Sequence, residues 1–186
     1  KSHAHIGIGA FNLIRQQVYQ AIGTHQVIAM RPDDDMKLGK IVKKNGFSQG
    51  FLFGNRFISV EWYASVRELV HGMMKNSFAG VGYRISMVVA ATLGQFMLFI
   101  WPFLAVFLAE GLTRWVYMVI VLILLLIMGY GAHLCHGSPW LGLGLPLASA
   151  LLLYIFWKSM IQTLWRQGIF WRETFYPLRL LKANKV

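Results

Sequence analysis

Acid is scarce in this sequence. Seven residues are Asp or Glu against eighteen Lys and Arg, which gives a formal net charge of +11 over 186 residues. Cysteine is scarcer still. Cys135 stands alone, so an intrachain disulfide is excluded and the redox compartment stays open. Charge of either sign is sparse at 13%, while 56% of the chain is hydrophobic and the mean hydropathy is +0.52. That balance excludes an ordinary soluble domain and points to membrane segments. No internal repeat, low-complexity tract or nucleic-acid-binding motif is visible, so the basic charge is not assigned to DNA or RNA. No initiating Met or signal peptide is recognisable, and the chain is expected to be the C-terminal piece of a longer protein.

The charge is placed unevenly. Residues 1 to 84 hold eleven Lys and Arg against five acids. Residues 85 to 157 hold only Arg114 and Glu110, and residues 158 to 186 hold six cations against Glu173. A neutral apolar middle between two basic ends predicts a membrane domain with parts facing anionic lipid. Three uncharged runs carry that prediction: Met87 to Leu108, Trp115 to Leu134, and the Gly/Pro-rich Pro139 to Phe156. Each approaches the roughly 20 apolar residues that cross a bilayer core. Trp101, Trp115, Tyr117, Trp140 and Trp157 recur near their ends or breaks, as interfacial aromatics do, and Pro102 should kink the first run. Both basic ends want the same side of the membrane, which three crossings forbid. Either one run is re-entrant, the third being the first choice, or one run is divided in two.

Ahead of the membrane, residues 1 to 83 read as compact mixed structure. "AFNLIRQQVYQAIG" spaces Leu13, Val18, Ala21 and Ile22 for a helix stopped by Gly23. Leu38, Ile41 and Val42 predict a second helix closed by "KKNG". "GFLFGNRFISVEW" predicts a short strand, and "YASVRELVHGMMKNSFAG" an amphipathic helix at the entrance to the first run.

Three of the seven acids stand together, as Asp33, Asp34 and Asp35. They precede a predicted helix, where one carboxylate can cap free N–H groups and gain from the dipole. One cap accounts for one Asp. Asp33 and Asp35 also form D-x-D, a spacing that can present carboxylates to Mg²⁺ or Mn²⁺, and a carboxylate held there can act as a general base. Elsewhere, His133, Cys135 and His136 supply three donors at a helix end where they cannot readily face one point, and no metal site is assigned to them. His71 and Lys75 share a helix face suited to lipid headgroups or a diphosphate.

"GIGAFNLIRQQVYQAIGTH" followed by "DDDMKLGKIVKKNGF" resembles the second half of the catalytic domain of family 2 glycosyltransferases. The positions that carry the resemblance are Gly9, Arg15, Gly23, the pair Asp34–Asp35, Leu38 and Gly46. "EWYASVRELVHGMMKNSFAG", the apolar runs and the ending "GIFWRETFYPLRLL" are similar to the membrane-bound branch, which includes ceramide glucosyltransferase-like, hopanoid-associated and carotenoid-type enzymes. The resemblance implies a fold: the C-terminal half of an α/β domain of GT-A type over residues 1–83, transmembrane helices over 84–158, and a basic, aromatic interfacial tail over 159–186. It implies an inverting enzyme moving a sugar from a nucleotide-sugar donor to a lipid-like acceptor. Asp35 matches the family's catalytic base and Asp34 its acidic neighbour, with Asp33 extra. Gly9, His25, Trp171, Arg172 and Tyr176 are the substrate-binding candidates. A surface-loop role for His25 and a membrane-anchoring role for the tail remain open beside that.

The same resemblance implies Mg²⁺ or Mn²⁺ in the full-length enzyme, with ligands mostly outside this chain. It also implies an integral membrane protein whose catalytic part lies on the cytoplasmic side of a bacterial-type inner membrane. Two departures matter. The nucleotide-binding half and its own D-x-D are not in this sequence, so this chain alone is expected to be inactive. The Gln-x-x-Arg-Trp signature is also missing, which disfavours polymer synthesis and leaves single transfers to a hydrophobic acceptor. The rival from another class is a non-enzymatic membrane scaffold with a basic interfacial domain.

Overall fold

The computed structural model describes residues 4–29, 33–52, 54, 57–58, 60–171 and 174–183. The protein is mostly helical. In chain order come α1 (Gln16–Ala21), a 3-10 turn (His25–Ile28), α2 (Asp34–Lys44), α3 (Val66–Gly80), α4 (Ile85–Phe99) and α5 (Trp101–Leu108). Then follow α6 (Gly111–Leu134), a second 3-10 turn (Pro139–Gly144), α7 (Leu145–Arg166), strands β1 (Gly168–Trp171) and β2 (Thr174–Pro177), and α8 (Leu178–Ala183). The chain divides into two compact units. One comprises Lys1–Gly54, Val60–Tyr83 and Ile161–Val186; the other comprises Asn55–Ser59 and Arg84–Met160.

In the first unit the helices end by a shared device. At the ends of α1, α2 and α3 the glycines Gly23, Gly46 and Gly82 take φ of +82°, +83° and +64°. That left-handed turn, which costs glycine nothing, lets the next two N–H groups fold back onto the last turn. In α2, Gly46 donates to Lys43 O and Phe47 to Val42 O. Phe47 thereby lands on the small core of Ile22, Ile28, Leu38, Ile41 and Val42, beside Ile14, Val18 and Tyr19. In α3 the same closure brings Tyr83 edge-on to the buried Phe78, 5.5 Å between ring centres. The start of α3 is fixed by Ser65, whose Oγ accepts from Glu68 N–H, while the Glu68 carboxylate accepts from Ala64 N–H.

Sheet is limited, among the described residues, to the antiparallel pair β1–β2, which joins Gly168 to Pro177, Ile169 to Tyr176, Phe170 to Phe175 and Trp171 to Thr174. The strand expected in "GFLFGNRFISVEW" is corrected: residues 50–52, 54, 57–58 and 60–62 are irregular. The described residues there pair with no strand, so the alternating β-branched and aromatic pattern stays a local preference. The helix expected from Ala10 begins only at Gln16. Asn12 Nδ2 donates to Ile8 O at 2.7 Å, a local turn that competes with helix, and Arg15 is extended.

The second unit holds α4, α5 and α6 and most of α7. Among the described residues two helices are long and apolar enough to span a membrane: α6, with 24 residues, and the continuous helical stretch Pro139–Arg166, with 28. At about 1.5 Å per residue both exceed a hydrocarbon core of ~30 Å. The first apolar run is not one continuous helix. It breaks at Ile100 into α4 and α5, with Pro102 in the first turn of α5. Pro102 has no N–H for Leu98 O and its ring would meet that carbonyl, so the helix restarts instead of bending. The third run, first choice for a re-entrant loop, forms part of one continuous helical stretch. Pro139 and Pro146 fall in first turns, where a missing N–H costs nothing, so the helix continues to Arg166.

Packing inside this unit joins polar tips across apolar surfaces. Trp101 Nε1 donates to Tyr117 Oη at 3.2 Å between α5 and α6, and Trp157 Nε1 to Thr92 Oγ1 at 2.9 Å between α7 and α4. The Pro139–Gly144 turn lies on α6 through two glycines. A Cβ on Gly142 would stand 3.1 Å from Leu125 O, and one on Gly129 3.1 Å from Pro139 O. Such backbone-to-backbone approach is how helices associate where burial in lipid supplies no hydrophobic drive. The "HLCH" stretch is part of the α6 terminus. His136 holds the left-handed position at φ +58°, and Gly137 N–H returns to Ala132 O.

Candidate functional site

The chain before α1 runs against the first half of α2, and glycines set the distance. Gly7 lies on the Asp35 carbonyl and Gly39, inside α2, on the Ile6 carbonyl, each too close for any Cβ. Gln49 fastens the two. Its Oε1 accepts from Ile6 N–H at 3.3 Å, and its Nε2 donates to Ile6 O at 3.2 Å and Gly39 O at 3.0 Å. The amide copies a strand's pairing pattern where, among the described residues, no strand lies beside Ile6. Two residues on, Gly9 faces the Asp35 side chain; a Cβ there would stand 3.1 Å from Oδ2. The fold thus brings together two residues far apart in sequence, and does so through backbone contacts only glycine permits.

The three aspartates have three different settings. Asp33, extra in the sequence pattern, is the buried one at 3% exposure, and its Oδ2 lies 3.6 Å from Lys37 Nζ one turn along α2. It holds the N-cap position yet makes no side-chain cap bond. Asp34 Oδ1 accepts from Asp35 N–H at 3.0 Å, and Asp35 Oδ1 from Met36 N–H at 2.7 Å. Both are half-buried in the first turn of α2, where the free N–H groups and the helix dipole favour negative charge. Asp35 therefore has one oxygen held by the helix and the other, Oδ2, turned toward Gly9. A hydroxyl arriving on the Gly9 side would meet a fixed carboxylate able to take its proton.

Among the described residues no group of three or more His, Cys, Asp or Glu side chains is gathered to hold a metal ion. Asp33 is tied to Lys37, and Asp34 and Asp35 each give an oxygen to the helix.

His25 opens the 3-10 turn that packs on α2. Thr24 before it is held at φ +60°, an uncommon conformation for a branched residue. The result is a tight partnership with Tyr19: Tyr19 Oη lies 2.6 Å from His25 Nδ1 and accepts the His25 backbone N–H at 3.3 Å. Tyr19→Phe removes both bonds and is expected to lower stability by about 0.5–1.5 kcal/mol. Thermal denaturation in detergent checks the loss, and faster amide exchange at His25 would place it in this loop.

Trp171 and Tyr176 belong to the β1–β2 hairpin, in register with Thr174 and Ile169 respectively. The hairpin lies against α3 and α8. Arg172 lies outside the described residues. His71 Nδ1 bonds its own helix at Arg67 O, 2.8 Å. Sequence reasoning missed Gly7, Gly39, Gln49 and Tyr19. A glycine in mid-helix at position 39 was the available signal, since it costs helix stability and marks a close approach. No family model, curated protein or solved structure matches this chain.

Proposed function

We propose that this chain is the acceptor-side part of an inverting, membrane-integral glycosyltransferase. The observation that carries the reading is the juxtaposition of Gly9 with the free oxygen of Asp35 at the head of α2. In the proposed reaction Asp35 Oδ2 takes the proton of an acceptor hydroxyl. The hydroxyl oxygen then attacks the anomeric carbon, and a nucleoside diphosphate leaves from the opposite face. Asp34 supports the orientation of its neighbour. In this reading the donor nucleotide and any Mg²⁺ or Mn²⁺ are held by residues outside this sequence. Two membrane-length helices in the same chain favour a hydrophobic, lipid-like acceptor. The basic ends favour a cytoplasmic site, since cationic segments stay on that side of an inner membrane.

The test uses membranes carrying the full-length protein, a panel of labelled UDP- and GDP-sugars, and lipid extracted from the same membranes. Label should pass into the organic phase with inverted anomeric configuration. The 186-residue chain alone should bind none of the donors by calorimetry; micromolar binding would overturn the division of labour. No transfer above that of membranes lacking the protein would leave the non-enzymatic scaffold as the better reading, and transfer with no dependence on Asp35 would remove the assigned base.

A further inference from the structure

We infer that the last turn of α7 and the outer face of the β1–β2 hairpin dock on anionic lipid headgroups, through Trp165, Arg166, Phe170 and Phe175. This rests on the membrane reading of Pro139–Arg166 and is independent of glycosyl transfer. All four residues lie in the same compact unit. Strand alternation gives the hairpin two faces. Ile169 is buried at 6% and its partner Tyr176 is half-buried, while Phe170 and Phe175, one position along, are exposed. The two phenyl rings meet at 4.8 Å between centres, and the Arg166 guanidinium stands 6.0 Å from the centre of the Phe170 ring. Phe175, Phe170 and Arg166 thus form one surface, ring against ring against cation. Trp165, on the same last turn of α7 as Arg166, is 82% exposed.

Three observations select anionic lipid as the partner. The first is position. Trp165 and Arg166 are themselves the end of the continuous helical stretch Pro139–Arg166. Its 28 residues rise about 42 Å, the thickness of a bilayer with its headgroup layers rather than of the hydrocarbon alone. Lys158 and Arg166 are its only charges, so the C-terminal end is the one that emerges among headgroups. The second is fastening. Gln167 takes a left-handed turn at φ +54°, its Nε2 donates to Leu164 O at 2.6 Å, and its carbonyl accepts Leu178 N–H at 2.8 Å. Gly168 follows, and the Phe175 ring occupies the place where a Cβ would stand. The hairpin is therefore held at the helix end and stays at the level where α7 emerges. The third is charge. Residues 158 to 186 hold six Lys and Arg against Glu173, and Arg166, Arg179 and Lys182 are all exposed. Aromatic rings set among cations suit the headgroup boundary, with rings toward the acyl chains and guanidinium at phosphate.

Site-specific quenching tests this. In a Cys135→Ser background, a single cysteine replaces Trp165, Phe170 or, in mid-α6, Leu122, and is labelled with an environment-sensitive fluorophore. The full chain is reconstituted in vesicles of phosphatidylcholine alone or with phosphatidylglycerol. Headgroup-level spin labels should quench the Trp165 and Phe170 probes strongly, and more so with phosphatidylglycerol. Deep spin labels should quench the Leu122 probe in both. Arg166→Gln should lower the docked-to-free ratio read at Phe170 about fivefold, the worth of one cation near an anionic surface, and Arg166→Lys should restore most of it. Trp165→Cys gives the same reading should Phe170→Cys fail to reconstitute. Hairpin probes that stay unquenched while Leu122 is quenched overturn this inference alone, as does quenching indifferent to phosphatidylglycerol and to Arg166. Loss of quenching at Leu122 would instead remove the membrane reading beneath it. Shielding of the hairpin probes from an aqueous quencher in detergent, without lipid quenching in vesicles, would make the face a contact between copies and equally overturn the proposal.

Discussion

Asp35→Asn in the full-length protein is expected to lower kcat by about 10²–10⁴-fold, the usual contribution of a positioned general base. The amide keeps the shape of the carboxylate, and its oxygen can still accept from Met36 N–H, the bond that anchors Oδ1 now. Folding and donor binding should therefore change little, and the loss should appear in kcat. Gly9→Ala should act on the same step from the opposite side. Its Cβ would press on Oδ2 at 3.1 Å, and a carboxylate end can swing away at small cost in stability while leaving the acceptor's path. Asp34→Asn should lose less, through orientation alone. Asp33→Asn belongs to a different class. It uncharges the buried partner of Lys37 and should cost about 1.5–3 kcal/mol of stability, while molecules that remain folded turn over normally. Steady-state kinetics beside melting curves on the four variants separates the two classes. Were all of them to lose only melting temperature, the aspartates would be structural and the catalytic reading would fall.

That contrast shows where sequence was informative and where it was not. Helix α2 was legible because each of its signals is local: acids at the head, Leu38, Ile41 and Val42 on one face, Lys43 and Lys44 before a glycine stop. The separate roles of the three aspartates were not legible. Burial of Asp33 depends on how the first turn of α2 seats in the unit, which no spacing within "RPDDDM" encodes. The expected α/β character shows the same limit. Period-two patterning in "GFLFGNRFISVEW" states a local preference, and a strand also needs pairing that the described residues there do not make. The β1–β2 hairpin, read from sequence as a basic aromatic tail, had the aromatic content of strands but was dominated by its cations. In the second unit the apolar content of all three runs was plain. Proline position, in a first turn or inside a helix, decided which runs stayed continuous, and it depends on helix starts that hydropathy does not mark.

The largest purely structural effect should come from Gly39→Ala. In an unobstructed helix the change is favourable, since alanine exceeds glycine in helix propensity by about 0.8–1 kcal/mol. Gly80, on the last turn of α3, has open space where its Cβ would go, so Gly80→Ala should be neutral or stabilising. At Gly39 the same methyl would run into the Ile6 carbonyl, a backbone atom with no rotamer to escape into. Either α2 shifts or the segment through Ile6, Gly7 and Gly9 lifts away, and both routes break the Gln49 bonds to Ile6 and Gly39. Overpacking of this kind costs roughly 1–3 kcal/mol, occasionally more, which outweighs the gain in propensity. Melting curves should therefore move in opposite directions for the two substitutions, although the chemical change is identical. Because the lifted segment carries Gly9 from Asp35, turnover of the folded Gly39→Ala protein should fall as well, an effect Gly80→Ala cannot produce. A Gly39→Ala protein as stable and as active as Gly80→Ala would mean that Ile6 does not rest on α2, and the site built on that contact would have to be abandoned.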